Sequence, residues 1–569
     1  MNRKKAALWF AVVVVVAVAA FWVQDRLREY DPEKYYSVKV IDGGSAVEIT
    51  GYNGGNSDVR IPPIIQGLPV TGIGRRAFWN ARPNAGEKIL VAIAHIVSGN
   101  ANAERLESVL SSFRSVSIPE GVTYIGEDAF SYGGIRRLEI PGSVKEIGEE
   151  AFYENRIRSL VISEGVTQIG KGAFEKNRLT SLVVPGSVTG IGDRAFSSNR
   201  LESVIMQNGV TKIGNCAFAY NKIASITIPE SITDIGSGAF EQNLIKSLVL
   251  PKNVTYIGEK AFQINRIADL VIPESITSIE RGAFGYNMLV SVTIPSSVTH
   301  IGNYAFEVNQ LTEIAIPDGV KSIGVGAFHR NKLTFVSIPY SIDRIENYTF
   351  ASNRLTGAEI PESVTYIGDG AFRDEDQLRA EKLPTNRLTG ITIPDSVTYI
   401  GKQAFQGNRI TEVVIPGSVT EIGERAFAGN LLTSIVIPDS VTSIGIGAFM
   451  ENQLTDITIP SSITQIPKSM FQHNRLTKVI IPNGITDIGY EAFAENEIIT
   501  LIIPDGVKYI HMSAFENNML TNVDIPQSVR AIELFAFLNN RLTSVFIPTE
   551  AETSERTFDS NVEVTRGGN

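Results

Sequence analysis

Apolar positions recur along this chain with a period of 22 residues. Phenylalanine marks the period most clearly, because it returns every 22 residues from Phe130 to Phe372 and again from Phe405 to Phe537. Phe78 is an earlier copy, which brings the total to 20. Independent globular domains do not keep so strict a period. The pattern therefore predicts one supersecondary unit that is stacked on copies of itself.

Within one unit, residues 432–452, the apolar pattern predicts a short strand. Leu432, Ile435 and Ile437 fall on one inward face, and Val436 points outward between the last two. Pro438 has no N–H group to donate to a ladder, so the strand is expected to end there.

The rest of the unit predicts a turn and an interior spine. Val441 and Ile444 indicate a second short extended piece, or a tight turn, on the opposite wall. Gly445 allows a backbone turn that a Cβ would hinder. Phe449 is expected to stack on its copies, and Asn452 to turn inward, where its amide satisfies backbone groups of neighbouring coils. The residues given this structural role include Phe130, Phe152, Phe174, Phe196, Asn155, Asn177 and Asn199.

The unit L-x-x-I-x-I-P-x-x-V-x-x-I-G-x-x-A-F-x-x-N resembles the repeat of BspA-like bacterial leucine-rich-repeat surface proteins, over roughly residues 36–548. The resemblance implies a right-handed leucine-rich-repeat β-solenoid with a parallel sheet on one face. It also implies an exported protein that binds other molecules, often as an adhesin, with no shared catalytic residues. Ser163 and Gln207 depart from the pattern, since they replace the proline that ends the strand.

The period and its interruptions define the predicted domains, with about 20 coils and little helix outside the N-terminal segment and one insertion. The predicted order is a membrane anchor or signal peptide (1–23), a linker (24–34), an N-terminal cap with the first coil (35–78), a partly helical insertion with the first regular strand (79–117), the solenoid (118–548), and a C-terminal cap and tail (549–569). An 11-residue insertion, 373–383, interrupts the solenoid. Each insertion is either a binding loop on a rigid scaffold or a tolerated surface elaboration.

The first 23 residues favour a membrane anchor or a signal peptide. Residues 3–5 are basic, and residues 6–23 form an uncharged run that would span about 27 Å as a helix. The positive-inside rule then keeps the N-terminus in the cytoplasm and places the folded part outside it, in the cell envelope or at the surface. Cleavage at the A-x-A site of Ala17, Val18 and Ala19 is the alternative, and it also exports the folded part.

Composition and charge narrow the classes of function. Of the 569 residues 43% are apolar and 20% charged, which excludes wholesale disorder. The net charge of −10 argues against nucleic acid as a partner. One cysteine, Cys216, rules out an intrachain disulfide and a four-cysteine zinc site. The five histidines lack metal-ligand spacing, and His300, His329 and His473 are expected to be solvated, so no metal and no cofactor is predicted.

No coil collects the carboxylates or basic residues that an enzyme needs at one place, so no catalytic residue is predicted. We therefore predict a non-enzymatic protein that binds protein or acidic-glycan partners through its solenoid surface, in adhesion or cell-surface interaction. An envelope or periplasmic structural protein is one alternative. A carbohydrate-active β-solenoid enzyme is another.

One candidate binding surface is the outward position of the strand, equivalent to Val436. It is expected to form an apolar line on the outside of the sheet, either because β-propensity favours such residues or because a protein or peptide docks there. Its candidate residues are Val161, Val183, Ile205, Val249, Val271, Val414, Val436, Ile480 and Ile502.

A second candidate surface is a basic column, formed by the residue directly after each inward asparagine. The residue after the strand-ending position is acidic in nine coils, among them those of Glu164 and Asp439. The strand sheet is therefore expected to have a basic and an acidic rim. These rims either keep the sheet soluble or, on the basic side, bind a linear polyanion such as an acidic glycan. The basic column occupies eleven coils and includes Arg156, Arg178, Arg200, Lys222 and Arg266.

Overall fold

The structure is a computed structural model that describes residues 29–79, 113–374 and 386–567. The predicted anchor or signal peptide, the helical patterns of the first insertion and most of the second insertion lie outside the described residues. The chain divides into two compact units, Met1–Ile245 and Lys246–Asn569, called here the N-terminal and C-terminal units. Within the described ranges no helix is long and apolar enough to cross a membrane.

Both units are parallel β-solenoids with a 22-residue period, as the sequence predicts. In each unit the coils add strands to two rows, called here ladders, which hydrogen bonding divides into several sheets, and the paired residues of adjacent coils are equivalents in the repeat. Ser203 pairs with Ser225 in the first ladder, and Ile191 with Ile213 in the second. The first ladder is the predicted parallel sheet. The second extended piece of the unit forms a parallel ladder of its own, made of two-residue strands.

The N-terminal unit opens with a cap. Tyr36–Ile41 runs antiparallel to Ala46–Tyr52, which itself pairs in parallel with Leu68–Ile73. The hairpin thereby covers a sheet edge that would otherwise be open to other chains. The cap contains the 3₁₀ helices Glu33–Tyr35 and Asp42–Gly44 and the strands Tyr36–Ile41, Ala46–Tyr52, Ile64–Ile65 and Leu68–Ile73.

The remaining strands of the N-terminal unit belong to the two ladders. The first ladder consists of Asp58–Arg60, Ser115–Ser117, Arg137–Ile140, Ser159–Ile162, Ser181–Val184, Ser203–Met206 and Ser225–Thr227. The second ladder continues from Leu68–Ile73 through Tyr124–Ile125, Glu146–Ile147, Gln168–Ile169, Gly190–Ile191, Lys212–Ile213 and Asp234–Ile235.

The C-terminal unit repeats this arrangement and ends in one further coil. Its first ladder consists of Asp269–Val271, Ser291–Thr293, Phe335–Ser337, Gly357–Glu359, Asp456–Thr458, Lys478–Ile480, Thr500–Ile502, Asn522–Asp524, Ser544–Pro548 and Glu563–Gly567. Its second ladder consists of Tyr256–Ile257, Ser278–Ile279, His300–Ile301, Ser322–Ile323, Arg344–Ile345, Tyr366–Ile367, Tyr399–Ile400, Glu421–Ile422, Ser443–Ile444, Gln465–Ile466, Asp487–Ile488, Tyr509–Ile510, Ala531–Ile532 and Glu552–Thr553. The tail forms the last coil, because Glu563–Gly567 pairs with Ser544–Pro548 and Phe558 stacks on Phe537 at 5.5 Å between ring centroids.

A stack of phenylalanine rings fills the interior of each unit. Phe130 and Phe152 lie 5.1 Å apart between centroids, with an angle of 3° between the ring planes, and Phe174 follows at 5.3 Å. All three rings are fully buried. The stack ties each coil to the next, so the core is a line through the unit.

Buried asparagines join successive coils beside this stack. The Asn177 amide donates to the carbonyl oxygens of Phe152, at 2.9 Å, and Phe174, at 3.2 Å. Its carbonyl oxygen accepts from the N–H of Ile157 at 3.0 Å. Asn199 makes the same three contacts in its own coil, and Asn155 makes two of them. Turn groups that cannot reach water are thereby satisfied.

The residue at the end of the strand shows why proline stops the pairing there. Where Ser163 and Gln207 replace proline, each backbone N–H donates across the ladder, to Ile140 and Val184 respectively, at 3.1 Å. A proline at that position lacks the donor, so it ends the pairing.

The glycine that recurs at the position of Gly445 is required for a reason other than the turn predicted from the sequence. Its φ is not in the left-handed region at Gly170 or Gly445. A Cβ on Gly170 would instead lie 2.7 Å from the backbone of the preceding coil, so glycine is needed for close stacking of coils. The left-handed residues stand two before and two after the phenylalanine, for example Cys216 (φ +54°) and Ile264 (φ +56°).

Candidate functional site

The outward position of the first ladder is exposed in both units. The exposed fraction is 80% at Val436 and 77% at Val249, whereas the inward neighbours Ile437 and Leu248 are 6% exposed. The segments around Val249 and Val436 are not strands in the structure, but they show the same alternation, because successive side chains of an extended chain point to opposite faces. The outward candidates that lie exposed are Val161, Val183, Ile205, Val249, Val271, Val414, Val436, Ile480 and Ile502, which we call the apolar stripe.

The apolar stripe is divided into short blocks. Thr227, Thr293 and Thr458 occupy the same outward position in intervening coils. Side chains of adjacent coils within a block are about 4.8 Å apart, one strand spacing. The blocks are Val161, Val183 and Ile205 in the N-terminal unit, and Val249 with Val271, Val414 with Val436, and Ile480 with Ile502 in the C-terminal unit.

Two exposed aromatic residues on the same side escaped the sequence analysis. Phe335 is 47% exposed at the start of its strand, and Tyr340 is 78% exposed directly after Pro339. Both stand in columns that are polar in most other coils. An outlier in an otherwise polar column was the signal that could have revealed them.

The basic column lies just before the first-ladder strands of the N-terminal unit. Arg156 and Arg178 are half-buried, and Arg200 and Lys222 are exposed. Ladder bonds from the backbone N–H groups of Arg178 and Arg200 to the preceding coil, at 2.9 and 3.0 Å, hold the column in register. Arg266 belongs to the C-terminal unit, where the next coil has Met288 at the same position. The structure therefore brings four of the five named basic candidates together.

The acidic column has a structural task that the sequence did not reveal. The Glu164 carboxylate accepts from the backbone N–H groups of Gly186 and Ser187, both at 3.1 Å. Asp439 accepts from the N–H of Ser461 at 2.8 Å. Each donor lies in the turn of the following coil. These carboxylates therefore satisfy the next turn, as an N-capping side chain does at a helix.

The histidine and cysteine side chains that could take part in catalysis or metal binding do not form a cluster among the described residues. His329 is buried, so the expectation of a solvated side chain was wrong there, because its ring lies between Glu307, at 3.2 Å, and Tyr348, at 6.3 Å between ring centroids. Burial raises the pKa of the Cys216 thiol, and the negative charge of Glu241 adds to the shift. A thiol with a raised pKa is a poor nucleophile at neutral pH. Among the described residues no three His, Cys, Asp or Glu side chains are grouped to hold a metal.

The repeat pattern matches the model of the BspA type leucine-rich repeat region, in six copies. The matched residues are 108–224, 189–311, 299–390, 384–500 and 486–565, which together cover most of the chain. The chain belongs to this BspA-type family. Leucine-rich repeats of this type are repeat scaffolds, and the two-ladder coil described above is the scaffold in this member. No curated protein sequence matches the chain.

Solved leucine-rich-repeat structures resemble this BspA-type chain in fold. YopM from Yersinia enterocolitica has a TM-score of 0.43 and 17% identity, covering 75% of this chain and 88% of that one. A leucine-rich repeat protein from Bacteroides ovatus has a TM-score of 0.31 and 16% identity over 94% and 98%. A leucine rich cell surface protein from Faecalibacterium prausnitzii has 0.30 and 21% over 79% and 94%. At these values the likeness says nothing about partners.

Proposed function

We propose that this BspA-type protein is an exported, non-catalytic scaffold that binds protein partners through the apolar stripe, in adhesion or another cell-surface interaction. The observation that supports it is the exposure of adjacent apolar side chains, such as Val249 and Val271, at 77% and 67%. The uncharged run of residues 6–23 in the sequence supports export. An acidic glycan is a second partner class and is treated below.

The side chains of the apolar stripe stay exposed after folding, so a partner that buries them gains hydrophobic binding energy. A Val or Ile side chain that goes from exposed to buried contributes roughly 1.5 kcal/mol or more. A valine that is 80% exposed, such as Val436, has realised little of this gain within its own chain. Adjacent coils present such side chains at one strand spacing, so an extended apolar segment of a partner meets several of them in a row.

Substitutions at the outward position should change partner binding without changing the stability of the fold. Its side chains point away from the phenylalanine stack and from the inward residues Ile437 and Leu248. Substituting them therefore leaves the core unchanged, whereas most other apolar positions of the coil are buried. This property makes the apolar stripe directly testable.

The test compares two double variants of the purified protein. Val249→Lys with Val271→Lys places two charges in the apolar stripe, and Thr293→Lys with Thr458→Lys places two charges at the same outward position outside it. Binding to a panel of purified extracellular proteins is measured by interferometry. We expect the first variant to lose at least tenfold in affinity, the second to stay within twofold, and both to keep the melting temperature.

Two results would overturn the proposal. One is equal affinity of the wild type and the Val249→Lys, Val271→Lys variant for every protein bound. The other is protection of the folded part from added protease on intact producing cells, which would remove the export that an adhesive role requires.

A further inference from the structure

Two short columns of arginine adjoin each other on the N-terminal unit and overlap in the coil of Arg156 and Arg158. The first is the basic column described above, with Arg156, Arg178 and Arg200. The second stands two residues further along the coil, where the backbone N–H of Arg136 donates to Arg114 at 3.0 Å and that of Arg158 donates to Arg136 at 2.9 Å. We call the resulting patch the arginine strip; it comprises Arg136, Arg137, Arg156, Arg158, Arg178 and Arg200.

The charges of the arginine strip are uncompensated by the chain itself. In the part of the chain that the structure describes, none of the six guanidinium groups forms an ion pair. The neighbouring carboxylate of Glu154 lies against Lys176, at 3.8 Å. Partial burial, and then the positive charges of Arg156, Arg200, Arg158 and Arg136, lower the pKa of Arg178. The strip is thus a concentration of positive charge on a protein whose net charge is −10.

The strand segments that follow the arginine strip carry hydroxyl and aliphatic side chains and no aromatic ring. The strands that follow it present the exposed hydroxyl side chains of Ser159, Ser181 and Ser203. Residues 156–161, 178–183 and 200–205 contain no aromatic ring. Two exposed carboxylates, Glu139 and Glu202, stand at its borders. Proteins that bind single-stranded nucleic acid pair basic grooves with aromatic platforms for the bases, and that element is missing here.

We propose that the arginine strip binds a linear acidic glycan, whose sulfate or carboxylate groups lie along the two columns and whose hydroxyl groups meet the serine row. The proposal extends the proposed function, since it adds a partner class at arginines that precede the stripe block of Val161, Val183 and Ile205 in the same coils, whereas the stripe variant tested above changes Val249 and Val271.

The spacing of the strip fits a polymer with a repeated charge. Successive arginines of a column are about 4.8 Å apart, one strand spacing. A saccharide unit of an extended polymer advances by a similar length, so each unit meets a new coil. From the coil of Arg136 to that of Arg200 the strip extends over three coil steps, about 14 Å. Guanidinium groups also hydrogen-bond planar oxyanions in pairs, which a lysine cannot do.

The test uses the full chain and a set of defined probes. Affinity is measured by calorimetry for size-fractionated heparin, for polygalacturonate and for neutral dextran, at low and at moderate salt. The strip variant is Arg156→Ser with Arg178→Ser and Arg200→Ser. The matched control is Arg354→Ser with Arg409→Ser and Arg475→Ser, which removes the same charge from the same repeat position of the C-terminal unit, where threonine replaces the second arginine column.

We expect heparin or polygalacturonate to bind the wild type, with an affinity that falls steeply as salt rises. The strip variant should lose at least tenfold, the control variant less than twofold, and dextran should not bind. Oligosaccharides too short to span the strip should bind more weakly than long ones.

Four results would overturn the proposal. These are no binding of either acidic glycan at low salt, equal loss in the two triple variants, tighter binding of single-stranded DNA than of any glycan, and tighter binding of phosphatidylserine vesicles than of any glycan. Loss of protein binding in the Val249→Lys, Val271→Lys variant does not bear on these outcomes, so the two proposals fail separately.

Discussion

Removing one amide from the row of buried asparagines should break hydrogen bonds that join two successive coils. Asn331 is fully buried, and its amide donates to the carbonyl oxygens of Phe306 at 2.9 Å and Phe328 at 3.1 Å. Its carbonyl oxygen accepts from the N–H of Leu311 at 3.1 Å. The variant Asn331→Ala deletes these three hydrogen bonds, together with a longer one to the carbonyl oxygen of His329 at 3.5 Å, and leaves the surrounding backbone in place.

The backbone groups that lose the Asn331 side chain differ in whether a second hydrogen-bond partner remains, and this difference sets the loss of stability. The carbonyl oxygens of Phe306 and Phe328 keep a second amide partner, from Asn309 and Asn353 respectively. The N–H of Leu311 loses the acceptor described for it and stays away from water. An orphaned buried donor costs about 1–3 kcal/mol, and each of the other lost bonds about 1 kcal/mol. We expect Asn331→Ala to lower the free energy of unfolding by roughly 3–5 kcal/mol.

The control is an asparagine that joins two coils at the surface. The Asn303 side chain accepts from the N–H of Val325 at 2.9 Å, but it is exposed, so water replaces it in Asn303→Ala. That variant should lose less than about 1 kcal/mol. Urea unfolding followed by circular dichroism measures both, and hydrogen exchange measures the Leu311 amide directly. Unchanged exchange of the Leu311 amide, or equal losses in the two variants, would refute the reasoning.

Three further outcomes follow from the coil geometry. Gly170→Ala should lower the free energy of unfolding by about 1–3 kcal/mol in urea, because the new Cβ would lie 2.7 Å from the backbone of the preceding coil. Gly390→Ala is the control and should be near neutral, since a Cβ there meets open space. Equal effects of the two variants would contradict the stacking argument. Ile264→Gly should stabilise by about 1 kcal/mol, since φ is +56° at a β-branched residue; a loss would contradict this. Burial, and then Asp369, raise the pKa of Tyr399 to about 12. The folded state therefore holds this proton more tightly, so stability should fall as pH rises from about 10 to 12, and Tyr399→Phe should reduce that fall; an unchanged pH profile would contradict it.

The sequence predicted the features that depend on contact between equivalent residues. Phe130, Asn155 and Val436 each recur at one place of the unit, so their inward or outward direction follows from the strand period alone. The exposure of the outward position could be predicted for the same reason. One repeat therefore determines the ladder, the interior stack and the exposed face.

Contacts between different positions of adjacent coils could not be predicted. Glu164 reaches the turn at Ser187, which is 23 residues away and not its own equivalent. His329 pairs with Glu307, its own equivalent in the coil before, but that column is variable, so the period does not reveal that a histidine and a carboxylate meet there. The second arginine column was missed because Arg136 and Arg158 occupy a position that holds threonine in many other coils. Such contacts depend on which residues meet across a coil step, and a period does not contain that information.

The central claim is that partners dock on the outward face of the first ladder, and site-specific photo-crosslinking tests it most directly. A photoreactive amino acid is placed at Val271 or Val436 on that face, and at Tyr256 or Tyr509 on the second ladder, each 43% exposed. The full chain is then irradiated on intact producing cells in contact with their surroundings. We predict that Val271 and Val436 capture the same protein partner and that neither tyrosine position does. Capture from the tyrosine positions with none from Val271 and Val436 would contradict the account.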